Sequence, residues 1–417
     1  MRTFLLLVVA LSAFARSLED RTRQALDQLL ARKFDAFYGA FSPNMKSAIS
    51  PETFTSQMSQ ILTLGAPQSI GAASTTKVGD STVVVITVRW APVSLDFQVT
   101  WNKDGQIEGT YWRPAAAPAP PWQSPAYARA DTFTSVELTV GDDQWKLPAT
   151  LTIPKGNGPF PAVVLVHGSG PNDRDETVGG AKVFRDLAEG LASRDVAVLR
   201  YVKRNRQYPN ECAADPDFTM NRETVDDAVR AAALVRKQPH IDPAAVYVLG
   251  HSQGGYLAPR IMQRDPKLAG VIVMAGNVRS LGELIVEQDE YFASLAGPLT
   301  AETQAKLEAV RRDPYAGLNV PPRYLADLKD YHPDAEAKAI NMPMLILQGG
   351  RDFQVSMKDF DLWKAALAGR KNVVFRSYPQ LNHLFIAGEG KPSPAEYEKP
   401  GHVAEEVIDD IAKWVRR

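Results

Sequence analysis

The chain has 417 residues, of which 45% are hydrophobic, and this length is comfortable for two globular domains. Its 47 basic residues nearly balance 48 acidic residues, and no long basic stripe occurs, so nucleic acid is not an expected partner. Cys212 is the single cysteine, which excludes an internal disulfide. It lies in a polar stretch, and we expect an incidental thiol in a loop.

The first fifteen residues have the pattern of a signal peptide. Arg2 supplies the positive end, and residues 4–14 form an apolar core that is too short to span a bilayer comfortably. Residues 13–15 read Ala-Phe-Ala, a typical cleavage site. We therefore expect cleavage after Ala15, export to the periplasm or the medium, and no stable membrane insertion afterwards. The alternatives are an uncleaved anchor or a buried helix.

Residues 16–113 are predicted to form a small α+β domain. Helical spacing of apolar residues predicts one helix over 18–39 and a second over 51–64. Four strand-like runs follow, with Lys103-Asp104-Gly105 as a hairpin turn; they cover 71–78, 81–90, 95–101 and 107–111. The order resembles the cystatin-like or NTF-like domains found ahead of some bacterial hydrolases. Three tryptophans either line a groove or fill the core of this domain: Trp90, Trp101 and Trp112.

Residues 114–125 are rich in Pro and Ala and are predicted to form a semi-rigid linker. The segment 126–417 then opens with two antiparallel strands and continues as an alternation of strands and helices. The strands are predicted over 132–140, 147–153, 161–166, 196–201, 246–249 and 269–274, and the helices over 181–194, 222–237 and 253–264. Such alternation predicts an α/β fold with a mostly parallel sheet and helices on both faces.

A nucleophile motif lies between the strand 246–249 and the helix that follows it. Gly250-His251-Ser252-Gln253-Gly254 fits G-x-S-x-G, and a strand–turn–helix context is what a nucleophile elbow requires. A strained turn would hold the hydroxyl of Ser252 exposed, and the two glycines would let strand and helix approach closely. We therefore predict that Ser252 is a catalytic nucleophile.

An acid and a base follow in the order that this fold requires, Ser then Asp or Glu then His. Asp352 comes just after the apolar strand 344–348, and His383 lies on the loop after a strand-like run at 372–378. Asp352 has the alternative of capping a helix that starts near Ser356. The histidines that compete with His383 precede Asp352 or, in one case, lie near the start of the C-terminal helix: His167, His240, His251, His332 (in the insertion) and His402.

Two backbone amides are expected to form the oxyanion hole. One belongs to Gln253, the residue after the nucleophile. Ser169 is the candidate for the second, because it lies in His167-Gly168-Ser169-Gly170 directly after the strand 161–166. Arg174, further along that loop, is interpreted as a partner in a salt bridge, with a role in shaping the acyl pocket as the alternative.

Residues 278–338 interrupt the alternation with helical patterns over 281–295, 301–312 and 323–330. Because the insertion follows the strand next to the elbow, it is predicted to fold over the nucleophile as a lid that excludes water. Four residues are candidates for the substrate pocket, with packing of the lid onto the body as the alternative for the tyrosines: His251, Tyr291, Tyr324 and Tyr331.

Extended motifs of residues 131–417 resemble bacterial serine esterases of the EstD type, within the α/β-hydrolase superfamily. The resemblance rests on 167–176, 198–201, 250–254, 381–385 and 394–401. It implies that Ser252, Asp352 and His383 form the triad and that short-chain acyl esters are the substrates. Where relatives usually have Arg-Tyr-Asp-Lys-Arg, this chain has Val202 in place of the aspartate, which removes a carboxylate near the site entrance.

The predicted function is therefore hydrolysis of a small carboxylic ester through an acyl-enzyme, with no metal or organic cofactor. A serine peptidase on the same fold is one alternative. An acyl-CoA thioesterase is another, for which Lys203, Arg204 and Arg206 would offer a basic patch. A non-catalytic binding protein is disfavoured because no triad member is missing. The oligomeric state is not predicted.

Overall fold

The computed structural model describes residues 17–78, 81–91, 93–115, 122–141, 144–295, 297, 299–316, 318 and 320–417. The chain divides into two compact units, Met1–Pro118 and Ala119–Arg417. The predicted signal peptide, 1–15, lies outside the described residues, as does half of the predicted linker, 116–121. Within the described residues, no helix has the length and apolar character needed to cross a membrane.

The N-terminal unit packs four helices against an antiparallel meander of four strands. Its helices are α1 (Leu18–Leu30), α2 (Phe34–Gly39), α3 (Pro43–Ala48) and α4 (Pro51–Ile61), and its strands, in sheet order, are β1 (Ser69–Val78), β2 (Ser81–Arg89), β3 (Ser94–Trp101) and β4 (Ile107–Pro114). The single helix predicted over 18–39 is wrong, because Arg32 takes a left-handed backbone (φ 57°) and ends α1. The sequence analysis also missed α3, which is capped by Ser42.

The tryptophans of this unit fill its core. Trp90 and Trp101 are buried, and Trp112 packs against Phe97 with ring centroids 4.8 Å apart. The indole N–H of Trp101 donates to Thr22 Oγ1 at 2.8 Å, which satisfies its one polar atom inside the core. These contacts favour the packing interpretation over a tryptophan-lined groove.

The second unit is built on an eight-stranded sheet. Its strands are β5 (Phe133–Val140), β6 (Leu147–Pro154), β7 (Phe160–Val166), β10 (Ala197–Tyr201), β11 (Ile241–His251), β12 (Gly270–Met274), β13 (Met344–Gly349) and β14 (Val373–Tyr378), and two short strands, β8 (Thr177–Val178) and β9 (Ala181–Lys182), pair outside it. The sheet order is β14-β13-β12-β11-β7-β10-β6-β5. The six strands from β14 to β10 are parallel, and β6 and β5 join antiparallel. The predicted α/β-hydrolase fold is confirmed.

Helices cover both faces of this sheet. They are α5 (Val183–Ala192), α6 (Arg204–Gln207), α7 (Pro209–Ala214), α8 (Asp226–Val235), α9 (Gln253–Tyr256), α10 (Ala258–Arg264), α11 (Leu281–Leu295), α12 (Ala301–Arg312), α13 (Pro322–Asp330), α14 (Pro333–Ala339), α15 (Met357–Ala366) and α16 (Glu405–Val415). Side chains alternate along β7 between two cores, so that Val163 and Leu165 pack with α5 and α16, and Val164 and Val166 pack with α8 and α10. Each core is almost wholly apolar.

The topology brings the loops that carry chemistry to one edge. Parallel strands end at the same edge of a sheet, so the loops after β7, β11, β13 and β14 meet there. The four helices α11–α14 are inserted between β12 and β13, and we call them the cap. The predicted lid, 278–338, covers nearly all of the cap, but only three of its helices were predicted; α14 was not, because its short Pro-Asp-Ala-Glu start has little apolar pattern.

Candidate active site

Ser252 lies at a sharp turn between β11 and α9. Its backbone is at φ 51° and ψ −115°, a region that non-glycine residues rarely occupy. The neighbouring glycines are needed for space. A Cβ at Gly250 would lie 2.1 Å from the carbonyl oxygen of Gly254, and a Cβ at Gly254 would lie 2.3 Å from that of Val166. The turn therefore has the geometry of a nucleophile elbow, and Ser252 lines a cavity.

Asp352 and His383 form a buried pair beside that cavity. His383 Nδ1 lies 2.7 Å from Asp352 Oδ2, and both side chains are buried. The other carboxylate oxygen accepts the backbone N–H groups of Gln354 and Val355 at 2.8 and 2.9 Å. Since Nδ1 faces the carboxylate, Nε2 is the ring nitrogen left for the cavity, which His383 also lines. The arrangement can orient an imidazole as a general base.

The alternative roles find no support in this geometry. Helix α15 begins after Ser356, and Asp352 bonds amides ahead of that helix. Among the competing histidines, His402 contacts Asp186 at 3.1 Å, away from the cavity. His167 is fully buried, and burial lowers its pKa to about 4, so the imidazole is neutral at pH 7.

The loop after β7 approaches the nucleophile closely. A Cβ at Gly168 would lie 3.1 Å from the Cβ of Ser252, and Ser169 lines the same cavity as Gln253. Gly168 N–H donates to Glu176 Oε1 at 2.6 Å, and the ammonium of Lys203 donates to the carbonyl oxygen of Gly168 at 2.8 Å. The loop is thus held from both sides of Gly168.

Glu176 and His251 form a second buried pair, which the sequence analysis missed. Glu176 Oε2 lies 2.9 Å from His251 Nδ1, a charge contact and not a well-aligned hydrogen bond. His251 Nε2 lies 3.0 Å from the carbonyl oxygen of His383. Burial opposes charge on both groups, but their mutual attraction outweighs it, so the pKa of His251 is raised and that of Glu176 is lowered. The pair links the loops of Gly168 and His383.

The cavity measures about 410 Å³ and combines an apolar wall with a few side-chain amides and two tyrosines. It contains His251, as predicted, together with residues that the sequence analysis did not identify. The apolar ones are Val178, Met220, Leu281, Leu284, Leu328, Val355 and Leu384, and the polar ones include Asn172, Asn277, Gln288, Gln354, Tyr256 and Tyr397. Leu281, Leu284 and Leu328 come from the cap, so the cap forms part of the pocket.

Tyr291, Tyr324 and Tyr331 do not line the cavity, so of the two interpretations of these cap tyrosines the structure favours packing of the cap onto the body over facing the pocket. Tyr291 stacks on Phe353, with centroids 5.6 Å apart. Tyr331 donates its hydroxyl proton to the carbonyl oxygen of Tyr256 at 3.0 Å.

Tyr324 is buried and donates to Glu223 Oε2 at 2.6 Å, and burial next to that carboxylate raises its pKa well above the usual value. All three tyrosines hold the cap on the body.

Other polar residues near the site have structural surroundings. Arg174 Nη1 pairs with Glu137 at 2.6 Å, as expected of a salt bridge. The basic patch considered for a nucleotide is wrong, because Lys203 and Arg204 are buried, and Arg204 donates two hydrogen bonds to Asp227.

Cys212 is not in a polar loop. It lies in α7 and packs in the core, and burial raises its pKa to about 11. Val202 is half-buried and does not line the cavity. No cluster of three or more His, Cys, Asp or Glu side chains suited to a metal ion occurs in the described part of the chain.

Comparisons with known proteins identify two matching families and several similar solved structures. The family described as "Serine aminopeptidase, S33" matches residues 159–389, and a family described as "Protein of unknown function (DUF3887)" matches residues 23–109. Two solved structures are similar: an esterase of Pyrobaculum calidifontis (20% identity, 68% of this chain and 85% of that chain, TM-score 0.46) and one of Pyrococcus furiosus (16%, 68% and 90%, TM-score 0.43).

Esterase EstD of Thermotoga maritima is 41% identical over 323 residues, which cover 76% of this chain and 75% of the relative. The match is long enough and close enough to establish kinship. This chain therefore belongs to the family of serine hydrolases that includes esterase EstD, within the α/β-hydrolase superfamily.

Proposed function

We propose that this protein hydrolyses carboxylic esters through an acyl-enzyme formed on Ser252, with His383 as general base and Asp352 as the orienting acid. The observation that carries the proposal is the Asp352–His383 pair, 2.7 Å apart and buried, on the wall of the cavity that also contains the strained Ser252. Kinship with EstD supports an ester as the substrate.

The geometry supports the following sequence of steps. His383 removes the proton from Ser252 as the hydroxyl oxygen attacks the ester carbonyl, and Asp352 stabilises the imidazolium. The N–H groups of Gln253 and Ser169 then receive the oxyanion. Collapse of the tetrahedral intermediate breaks the bond to the leaving oxygen, and the His383 imidazolium protonates the departing alkoxide to give the alcohol. A water molecule, deprotonated by His383, attacks the acyl-enzyme and releases the acid.

Charge in the cavity favours a neutral acyl group. None of the described residues that line it is Lys or Arg, so an anionic acyl group or a nucleotide phosphate would find no counter-ion. Its one lining carboxylate is Glu176, which already engages His251 and the N–H of Gly168. A peptidase that holds a free amino terminus needs an available carboxylate, so the cavity disfavours that activity.

A substrate panel tests the proposal. Wild type and Ser252→Ala are assayed with p-nitrophenyl butyrate, aminoacyl p-nitroanilides and butyryl-CoA, with circular dichroism as the control for folding. We expect the butyrate ester to be cleaved fastest and Ser252→Ala to lose at least about a thousandfold in kcat, because triad members act as a unit. Preference for a nitroanilide would indicate a peptidase, and more than a tenth of wild-type activity in Ser252→Ala would refute the nucleophile.

We also propose the domain organisation and export expected from the sequence: a signal peptide over 1–15, a small domain over 16–113, a linker over 114–125 and the catalytic domain over 126–417. A chain starting at Trp122 keeps the whole sheet and every proposed catalytic residue, so it should fold and cleave p-nitrophenyl butyrate. An insoluble product would refute the expectation that the catalytic domain folds without the small domain. A mature N-terminus other than Arg16 would refute the cleavage site.

A further inference from the structure

A buried lysine joins the two segments that are proposed to supply the oxyanion hole. Lys203 follows β10 and is only 1% exposed. Its ammonium donates to the carbonyl oxygen of Gly168 at 2.8 Å and to the side-chain Oε1 of Gln253 at 3.0 Å. Glu223 Oε1, 3.3 Å away, is its counter-ion. Burying an ammonium is costly even when it is paired, so its placement here calls for an explanation.

The carbonyl of Gly168 and the N–H of Ser169 belong to one peptide group. That peptide is trans, so the two bonds point in opposite directions across the same plane. Anchoring the oxygen on one side therefore fixes where the N–H points on the other. Asn172 Nδ2 also donates to this oxygen, at 3.1 Å, but as a neutral and more exposed donor.

A charged donor does more than hold the carbonyl in place. A hydrogen bond from an ammonium polarises the amide and makes its N–H a stronger donor on the far side. In the Gly168–Ser169 peptide, the donor that is strengthened in this way is the N–H of Ser169. Water competes little for the ammonium, because it is buried with its counter-ion.

The second contact of Lys203 reaches the other proposed donor. Gln253 carries the second oxyanion N–H, and its side-chain oxygen accepts from Lys203. The amide nitrogen of the same side chain donates to Tyr324 of the cap at 2.8 Å, and Tyr324 donates to Glu223. One ammonium thus bridges both segments, and the network closes through the cap.

We propose that Lys203 is a positioning residue of the oxyanion hole, which orients and polarises the Gly168–Ser169 peptide and fixes Gln253 beside it. The proposal rests on the proposed function of Ser252 and deepens it. Lys203 does not touch the substrate. It acts through two N–H groups, so its effect belongs to the transition state, where negative charge develops on the substrate oxygen.

The experiment compares Lys203→Met with Lys182→Met. Lys182 also forms an ion pair, with Asp175 at 2.9 Å, but its ammonium bonds neither the carbonyl oxygen of Gly168 nor Gln253, so it is the matched control. Because Lys203→Met leaves Glu223 unpaired in the interior, the double variant Lys203→Met/Glu223→Gln removes both charges. Each is assayed for kcat and KM with p-nitrophenyl butyrate and for inhibition by an alkyl trifluoromethyl ketone, which forms a tetrahedral oxyanion on a serine.

We expect kcat to fall about ten- to hundredfold in both Lys203 variants, below the loss of roughly 10²–10³ for removing an oxyanion donor outright. KM should change little, and the ketone should bind more weakly by a factor similar to that of kcat. Lys182→Met should resemble wild type. Wild-type kcat in a folded Lys203 variant, a change confined to KM, or failure of both variants to fold would each overturn the proposal. Ser252→Ala, assayed alongside, reports separately on the proposed function.

Discussion

The edge of the central sheet and the cap above it are stabilised by opposite means. At the edge, charged and polar side chains are buried and bound to backbone groups of neighbouring loops: His167, Glu176, His251, Asp352 and His383 are each at most 6% exposed. The cap also has ion pairs at the surface, such as that between Arg311 and Glu290, and it exposes Leu299 and Phe292. Surface pairs of this kind contribute little to stability.

From this difference we expect the edge of the sheet to set the rate of catalysis and the cap to set which ester is preferred. Buried polar networks fix atoms in one geometry, which catalysis on a developing charge requires. The cap contributes leucines to the pocket, and it touches the proposed machinery through the hydroxyl of Tyr324, which accepts from the side chain of Gln253 and not from a reacting atom. Changes at the edge should therefore slow the hydrolysis of every ester, and changes in the cap should alter which ester is preferred.

The largest expected effect comes from Asp352→Asn. The amide would favour the wrong tautomer of His383, and we expect kcat to fall by about 10³–10⁴ at neutral pH while the fold is kept. The control is Asp359→Asn. Asp359 is another buried aspartate; it lies on α15 and pairs with Arg279. That variant should lose stability but keep kcat. Full activity in Asp352→Asn would place the acid elsewhere.

The next effect tests the second buried pair at the edge. Glu176→Gln keeps an acceptor for the N–H of Gly168 but removes the charge that faces His251. We expect a loss of about tenfold or more in kcat, because one charged contact worth about 1.5–3 kcal/mol fixes both loops. Asp175→Asn is the control, since Asp175 pairs with Arg200 and Lys182 instead. Equal activity of the two variants would show that the Glu176–His251 pair has no positioning role.

A pH experiment tests whether the buried imidazole of His167 stays neutral in the folded protein. Burial lowers the pKa of His167 from 6.5 to about 4, so below pH 6.5 the unfolded chain takes up a proton that the native state refuses. Stability is thus lost as pH falls, by about 2 kcal/mol between pH 7 and pH 5. His167→Phe should show a correspondingly shallower loss by urea denaturation, and Leu187→Ala, a non-titrating core variant, should keep the wild-type slope. Identical slopes in all three would refute a neutral His167.

Much of the sheet could be predicted because its strands are short apolar runs with clear ends. The loops after β7, β11, β13 and β14 were assigned from motifs, and the structure brings the residues predicted on them, Ser169, Ser252 and His383, to one cavity. The helix break at Arg32 was missed because a left-handed residue other than Gly or Asn leaves no signal in the sequence.

The surroundings of the site were less predictable. Lys203 looked like part of a surface patch, because a lysine is seldom buried and its partners, Gly168 and Glu223, are distant in sequence. Tyr291 was assigned to the pocket by its place in the lid, but the direction of a cap side chain depends on how the helices pack, which periodicity does not specify. The motif 167–176, which contains Glu176, was noted in the sequence, but the contact between Glu176 and His251 follows only from the fold.

The smallest effect is expected in the cap and concerns the acyl chain. Wild type should show a kcat/KM that falls from about four to about twelve carbons, since each methylene gains up to about 0.8 kcal/mol only while it fits the pocket. Leu284 is buried in α11 and lines the cavity. Leu284→Ala enlarges it, and room for two more methylenes should raise the octanoate-to-butyrate ratio of kcat/KM by about tenfold.

Leu307→Ala provides the matched control, because Leu307 is a buried leucine of the same cap that does not line the cavity. Both variants lose core contacts and should be destabilised, by about 2–5 kcal/mol for a well-packed leucine. Only Leu284→Ala should shift the chain-length profile, measured with p-nitrophenyl esters below micelle-forming concentrations. A shift in both variants would mean that the cap acts through its stability, and a wild-type rate that rises through twelve carbons would indicate an open groove under the cap. A shift in Leu284→Ala alone would assign ester selection to the cap, with the chemistry left at the edge of the sheet.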